Sequence, residues 1–299
     1  MECIRPAPHP PAVSRFHAVV IQQVLTSGSP MRWVVGDIHG MLRPLRALID
    51  EVRRRDPAPR FLFVGDYVNR GPESRGVVDF LLAMPDARFV RGNHDDVFDL
   101  VLHGTCYDPD ASAPDAPSAF AWFMNHGLAS TFTSYDVDFA VLEEAARRPT
   151  PQKVARIAEA VPEPHRRFFR ALPPVIEEPD LFVAHALWHA DEPDDRPDLA
   201  GRLQAVRRLR HQVLWGRYAD SEVRRPKRWR RTGYFGHTPV ETFGHGLHGG
   251  RNVPIFGRQM VLLDTAAALT PAGRLSAVCA ETGAVVQADR TGSVVAVGP

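Results

Sequence analysis

Six side chains with donor atoms for a metal ion stand just beyond short apolar runs. Residues 33–35 lead into Gly36-Asp37-Ile38-His39-Gly40, residues 61–64 into Gly65-Asp66, and Phe89-Val90 into Arg91-Gly92-Asn93-His94-Asp95. Later, residues 181–184 end on His185, and residues 233–236 end on His237. Each run reads as a buried strand, and ligands of open α/β sheets sit beyond the carboxyl ends of strands. Residues two apart on an extended or tightly turning backbone can point the same way, so Asp37 and His39 converge. The set is two carboxylates (Asp37, Asp66), three imidazoles (His39, His185, His237) and one amide (Asn93). No single protein-bound ion uses all six comfortably; two ions do if one carboxylate is shared. These donors suit Mn, Fe or Zn rather than Ca or a thiophilic ion. Two ions roughly 3.5–4 Å apart hold a hydroxide between them and polarise a phosphoryl oxygen, which is machinery for in-line hydrolysis of a phosphate ester.

The elements that must position these residues follow from periodicity. Residues 41–54 carry Leu42, Leu45, Leu48, Ile49 and Val52 at helical spacing, and Asp56-Pro57-Ala58-Pro59 stops the helix. A second helix is predicted from near Glu73 (Val77, Val78, Phe80, Leu81, Leu82), and a third from about Asp95 to His103 after a strand ending at Asn93. Strand, loop and helix three times over mean βαβαβ with a parallel sheet. An insertion of about 104–172 follows. Residues 108–118, rich in Pro, Ala and Asp, read as a mobile loop, and 120–170 as mostly helical with a turn at Pro149-Thr150-Pro151. The insertion's aromatics (Trp122, Phe123, Phe132, Tyr135, Phe139, Phe168, Phe169) read as packing residues of a helical cap. Strands resume at 181–184, 233–236 and 260–263, the last ending on Asp264, with a helix over 199–213. Residues 274–280 and 284–288 form a hairpin about Thr282-Gly283, which points to a mixed second sheet. The expected organisation is a flexible extension over 1–30, one α/β domain over 31–290, and a tail over 291–299. Met31, directly before the first strand, is a second candidate start.

Balanced charge, 36 Lys+Arg against 35 Asp+Glu, gives no global field for nucleic acid or membrane. Cys3, Cys106 and Cys279 are isolated, without metal or redox pairing, which fits a reducing cytoplasm. No apolar run approaches the roughly 20 residues of a membrane helix. A cytoplasmic protein with no membrane partner and no specific nucleic-acid binding is expected.

The blocks Gly36-Asp37-Ile38-His39-Gly40, Gly65-Asp66-Tyr67-Val68-Asn69-Arg70-Gly71 and Gly92-Asn93-His94-Asp95 resemble the three signature blocks of the phosphoprotein phosphatases. These are calcineurin-like metallophosphoesterases. His185, Gly236-His237-Thr238-Pro239 and Asp264-Thr265 fit the same order, and the nearest flavour is the bacterial and lambda-phage type, with Trp215-Gly216-Arg217. The resemblance implies two mixed sheets sandwiched between helices, with the helical insertion. It also implies two divalent metals, most simply Mn with Fe or Zn as alternatives. Asp37 and His39 would bind the first, Asp66 would bridge, and Asn93, His185 and His237 would complete the second. Arg70 and Arg217 would clamp the phosphate, since guanidinium matches two phosphate oxygens. His94 would protonate the leaving oxygen.

That resemblance makes a serine/threonine protein phosphatase, with tyrosine as an extension, the leading expectation, its partner a phosphoprotein or a phosphorylated small molecule. The alternative is a symmetrical diadenosine tetraphosphate hydrolase, toward which two departures lean: Asn69 where a protein phosphatase has Asp, and Asp95 where animal ones have Glu. A weakly catalytic metal-bearing binding protein is a third reading. In the family the Asp at position 69 holds the histidine corresponding to His94; Asn69 is expected to offer it a carbonyl oxygen instead. Asp264 reads as support for the site or a turn cap, His245 and His248 as part of a flexible glycine loop, and Cys106 as an ordinary thiol. The run 224–231, six cations of eight with Trp229, reads either as a solvated loop or as a funnel for an anionic substrate, with Trp229 free to stack on a ring.

Overall fold

Alternation along the strands builds the molecule. In the computed structural model, which describes residues 30–105, 114–189 and 207–297, strands β1 (Arg32–Val35), β2 (Arg60–Phe63) and β3 (Ala87–Phe89) run parallel. They continue antiparallel into β9 (Arg274–Cys279), β10 (Val285–Asp289) and β11 (Val294–Val297), giving the order β11-β10-β9-β1-β2-β3. The second sheet is β4 (Val175–Glu177), β5 (Leu181–Ala184), β6 (Thr232–Phe235), β8 (Met260–Leu262) and β7 (Ile255–Gly257), with β5, β6 and β8 parallel. Both sheets are mixed. Side chains of period two divide each strand between two cores. Val34, Leu62, Leu181, Val183 and Val261 meet between the sheets. Trp33, Val35, Phe61 and Phe63 face the opposite way, onto helices, and Phe182 and Ala184 do the same from the second sheet. The result is the expected sandwich of two mixed sheets between helices.

Helices α1 (Leu42–Arg55), α2 (Ser74–Leu82) and α3 (Asn93–His103) cover the first sheet with α1 burying the predicted Leu42, Leu45, Leu48, Ile49 and Val52. The insertion contributes α4 (Ala116–Phe123), a kink over Met124–Leu128, α5 (Ala129–Ser134), α6 (Phe139–Arg147), α7 (Pro151–Ala158) and α8 (Glu163–Ala171). Asp115 caps α4 by accepting from Ser118 N at 2.7 Å, so 116–118 are helix rather than loop; residues 108–113 and Cys106 lie outside the described residues, as do 1–29. Phe123, Phe132, Tyr135 and Phe169 pack as expected, but Trp122 is 50 % exposed and Phe139 57 %. After residue 206 come α9 (Arg207–Trp215), α10 (Asp220–Arg224) and a one-turn α11 (His245–His248); the expected helix start at 199 lies outside the described residues. Residues 294–297 are the edge strand β11, not a tail, because this Val-Val-Ala-Val run, rich in β-branched residues, pairs antiparallel with β10 and extends the β9–β10 hairpin. No helix among the described residues is long and apolar enough to cross a membrane.

The basic run departs most from expectation. Trp229 is 2 % exposed in the second core, its Nε1 donating to His189 O at 2.9 Å, so it cannot stack on a substrate ring. Lys227 is buried as well, its ammonium donating to the carbonyls of Glu222 and Arg225. Both side chains anchor the loop. His248 is likewise buried rather than part of a flexible loop, its Nε2 facing Phe243 O at 3.0 Å.

Candidate active site

The implicated residues follow the C-terminal ends of parallel strands in both sheets. Asp37 and His39 follow β1; Asp66, Asn69 and Arg70 follow β2; Asn93 and His94 follow β3; His185 follows β5 and His237 follows β6. Asn93 opens α3 rather than ending a strand, with Gly92 as the cap. His39, Asp66, Asn69, Arg70 and His237 all adopt positive φ, between 47° and 72°. Non-glycine residues visit this region only where surroundings hold them. Here Ile38 N and His39 N both donate to Asp66 O (3.1 and 2.8 Å), and Gly71 N donates to His39 O at 2.9 Å.

Backbone groups orient each donor side chain. Asp37 Oδ2 accepts from His237 N at 2.9 Å, and Asp66 Oδ1 accepts from His94 N at 3.0 Å, so each carboxylate keeps one oxygen for another purpose. Asp66 Oδ2 lies 3.5 Å from His39 Nε2 and 3.4 Å from His185 Nε2. Both imidazoles donate Nδ1–H to a carbonyl, His39 to Val68 O (3.0 Å) and His185 to Val64 O (2.8 Å), which leaves the Nε2 lone pairs directed at Asp66. That arrangement is the usual support of a metal-ligating histidine. Asn93 Oδ1 is 3.0 Å from both His185 Nε2 and His237 Nδ1, roughly the edge between two ligands each about 2.1 Å from one ion. The closest donor triads are His39–Asp66–His94 and Asp66–His185–His237, with Asp66 in both. Asp37 stands outside them, yet its Oδ1 is buried without a hydrogen-bond partner, as is His237 Nε2.

Charge points the same way. Burial, reinforced by Asp264, pushes the Asp37 carboxyl well above its ordinary range, and burial lifts Asp264 to about 6. Asp66 goes the other way: burial opposes its ionisation, but His185, His94 and His39 hold it well below the usual range. Buried carboxylates with orphaned oxygens fit divalent cations, because such charges are tolerated only when paired or ligating. Asp37, His39 and Asp66 would hold one ion, and Asp66, Asn93, His185 and His237 the other. Chelation should therefore lower the Tm, by about 5–10 °C if each site is filled to ~100 times its Kd. Readdition of Mn should restore it; a melting curve indifferent to both would mean that the cluster takes no ions.

Asp95 and two glycines keep the donors in place. Asp95 accepts from Asp66 N (2.8 Å), Gly92 N (2.9 Å) and Tyr67 N (3.0 Å), tying the loops after β2 and β3 together. A Cβ at Gly92 would collide with Asp66 Oδ1, and one at Gly236 with Asp37 Oδ1. Asp264 caps a turn through Ala266 N at 3.0 Å.

Beside the donors lies a cleft of about 170 Å³ lined by Asp66, Arg70, Asn93, His94, Phe123, His126, Trp215, Arg217 and His237. Arg70 lies with Nη1 2.9 Å from His39 Nε2 and Nη2 3.3 Å from His94 Nε2, and Arg217, also lining the cleft, is exposed. Asn69 offers His94 its amide nitrogen, not its carbonyl: Nδ2 is 2.8 Å from His94 Nδ1, while Oδ1 accepts from Thr131 Oγ1 at 2.8 Å. Thr131 also receives Asn69 N (2.8 Å), which fixes the amide's direction. The sequence alone gave Thr131 and His126 no role and Phe123 only one in packing the cap. All three come from the insertion, whose place over the cleft has no local signal in the chain.

Residues 32–241 match the family model described as calcineurin-like phosphoesterase. Over 105 residues the chain is 35 % identical to the symmetrical bis(5'-nucleosyl)-tetraphosphatase of Thioalkalivibrio sulfidiphilus, and over 108 residues 36 % identical to that of Pseudomonas putida F1. Each alignment takes in 32 % of this chain and only 38 % or 36 % of the relative. A solved metallophosphoesterase from Sphaerobacter thermophilus is 13 % identical, with 91 % of this chain and 89 % of that one covered and a TM-score of 0.46. A family match over more than two thirds of the residues, on two mixed sheets whose strand ends gather these donors, leaves one conclusion: the chain belongs to the calcineurin-like phosphoesterases.

Proposed function

We propose that this phosphoesterase hydrolyses dinucleoside tetraphosphates at the central anhydride, releasing two nucleoside diphosphates, in preference to the phosphoproteins that its motifs first suggested. The observation that carries this reading is the amide facing His94. Asn69 puts its amide nitrogen, not a carboxylate, against Nδ1, and Arg70 Nη2 lies 3.3 Å from Nε2. Burial and the Arg70 charge hold the pKa of the ring at about 4, so it is a poor store of positive charge. A serine alkoxide needs a strong proton donor to depart. A phosphate oxygen of an anhydride leaves as a stable anion and needs far less help. The names of the relatives at 35–36 % identity support the same substrate class.

Two divalent ions, most simply Mn for this mixed donor set, supply Lewis acidity and acidified water when bound. Arg70 and Arg217, both lining the cleft, grip the phosphate chain with planar forks. In line with the bridging oxygen, the bond from water oxygen to phosphorus forms as the P–O bridge breaks. The departing diphosphate keeps the electron pair, and the water proton passes to solvent.

Diadenosine tetraphosphate should exceed a phosphoserine peptide in kcat/KM by roughly tenfold or more, a decade per 1.4 kcal/mol of differential transition-state binding, with ADP the sole nucleotide product. Asn69→Asp should shift that ratio toward the peptide by about fivefold, since a charged hydrogen bond exceeds a neutral one by ~1 kcal/mol. A wild-type preference for the peptide would return the chain to the protein phosphatases.

A further inference from the structure

The rim of the cleft carries an aromatic array that the hydrolytic machinery does not use. Trp122, at the end of α4, lies 6.0 Å between centroids from Trp215, at the end of α9, with planes 22° apart. Trp215 continues the stack to His211 at 6.5 Å and 17°. His126 meets Trp122 edge-on at 5.0 Å and donates Nδ1–H to Trp122 O at 3.1 Å. A half-exposed Trp is ordinary by itself, because much of any protein surface is apolar. The ends of this row of near-parallel rings, supplied by segments about 90 positions apart, are not core: Trp122 is half exposed and His211 exposed, while Trp215 between them packs partly against the core.

The array is tied to the phosphate clamp. Between Trp122 and α5 the chain kinks, with His126 and Gly127 out of helical geometry and Gly127 at φ 91°. Gly127 O accepts from Arg70 N at 3.3 Å, and a Cβ at Gly127 would strike the Arg70 backbone. On the other side, Trp215 is two residues from Arg217, and both line the cleft. The cleft's 170 Å³ is well below the roughly 300–1,000 Å³ of sites that enclose a whole ligand. A nucleoside whose phosphates occupy the cleft must lie over the rim.

We propose that the Trp122–Trp215–His211 array is a nucleobase platform, on which one base of the dinucleotide stacks while Arg70 and Arg217 hold the phosphates. The proposal rests on the dinucleoside reading above and adds where the base is held. It makes Trp122 a determinant of specificity for nucleotides over plain polyphosphate. Stacking needs only a π face, so adenine and guanine would both be accepted.

The test compares Mn-loaded wild type, Trp122→Ala and Trp122→Phe on diadenosine tetraphosphate and on inorganic tripolyphosphate, which has the same anhydride bond and no ring. Trp122→Ala should lower the ratio of kcat/KM values by about tenfold, one base stack, chiefly through a higher KM for the dinucleotide. Trp122→Phe should recover most of it. ADP should quench tryptophan fluorescence in wild type and need about tenfold higher concentration to bind Trp122→Ala. If wild type cleaves the dinucleotide but Trp122→Ala leaves both ratio and ADP affinity within twofold, the platform is wrong and the reading of function stands. If wild type fails to cleave the dinucleotide, the reading falls and the platform falls with it.

Discussion

Asp66→Asn should bind at most one divalent ion per chain and lose about 10³-fold or more in turnover. The size follows from removing charge stabilisation at the reacting phosphoryl group, where even one well-placed donor is worth about 10²–10³. Neither oxygen of Asp66 is expendable: one serves the backbone and the other faces the ion sites. Oδ1 is engaged by His94 N at 3.0 Å, and Oδ2 faces His39 and His185 at 3.5 and 3.4 Å. An asparagine must put its NH₂ in one of these two places. Against His94 N–H it sets donor against donor, disturbing the start of α3 and Asn93 with it. Against the two Nε2 lone pairs it can donate, but it offers nothing to an ion between them. Metal content by mass spectrometry and kinetics on an aryl phosphate read the outcome together. Two ions per chain with ordinary turnover in Asp66→Asn would falsify the bridging assignment.

What was legible in the chain, and what was not, divides by the range of the interaction. A short apolar run followed by a donor is local information, and it repeats after β1, β2, β3, β5 and β6, with a glycine directly before the donor in every case but β5. Its order along the chain was enough to anticipate a parallel βαβαβ unit and to nominate the six donors. The pair of mixed sheets came with the family resemblance, and the C-terminal hairpin, expected in the second sheet, instead joins the first beside β1. Edge strands β4 and β7, three residues each, carried too little pattern to be seen. Trp229 misled because its neighbours are arginines: the chain there alternates, with Lys227 and Trp229 inward and Arg228 and Arg230 outward, and composition hides alternation. The rim was illegible for a different reason. Trp122 and Trp215 gain meaning only when the insertion folds back over the cleft, and nothing near either residue encodes that meeting. Family motifs describe how phosphorus is attacked, whereas the choice of substrate lies in such rims.

Asp95 is the case where a residue was noticed for the wrong reason. In the sequence it stood out as a departure from a family habit; in the fold it accepts three backbone N–H groups, from Gly92, Asp66 and Tyr67, and is wholly buried. Those three amides belong to the two loops that present Asp66 and Asn93, so the carboxylate sets the spacing between the two halves of the donor cluster. Asp95→Asn keeps the shape and removes one acceptor. The least harmful rotamer turns NH₂ toward Tyr67 N, which loses that bond and leaves a buried donor facing a donor. A hydrogen bond to a charged group contributes about 1.5–3 kcal/mol, and a buried unsatisfied donor costs about 1–3 more. The expected destabilisation is therefore about 3–5 kcal/mol, which lowers Tm by roughly 5–10 °C in a chain of this size. Activity should fall with it, about 10²-fold at a temperature where the variant is still folded, because Asp66 and Asn93 no longer hold a common ion at the right distance. Circular dichroism melts, metal content and kcat separate the two effects. An Asp95→Asn protein that melts within a degree of wild type and keeps both ions would show that the loops are spaced by their glycines and strands alone.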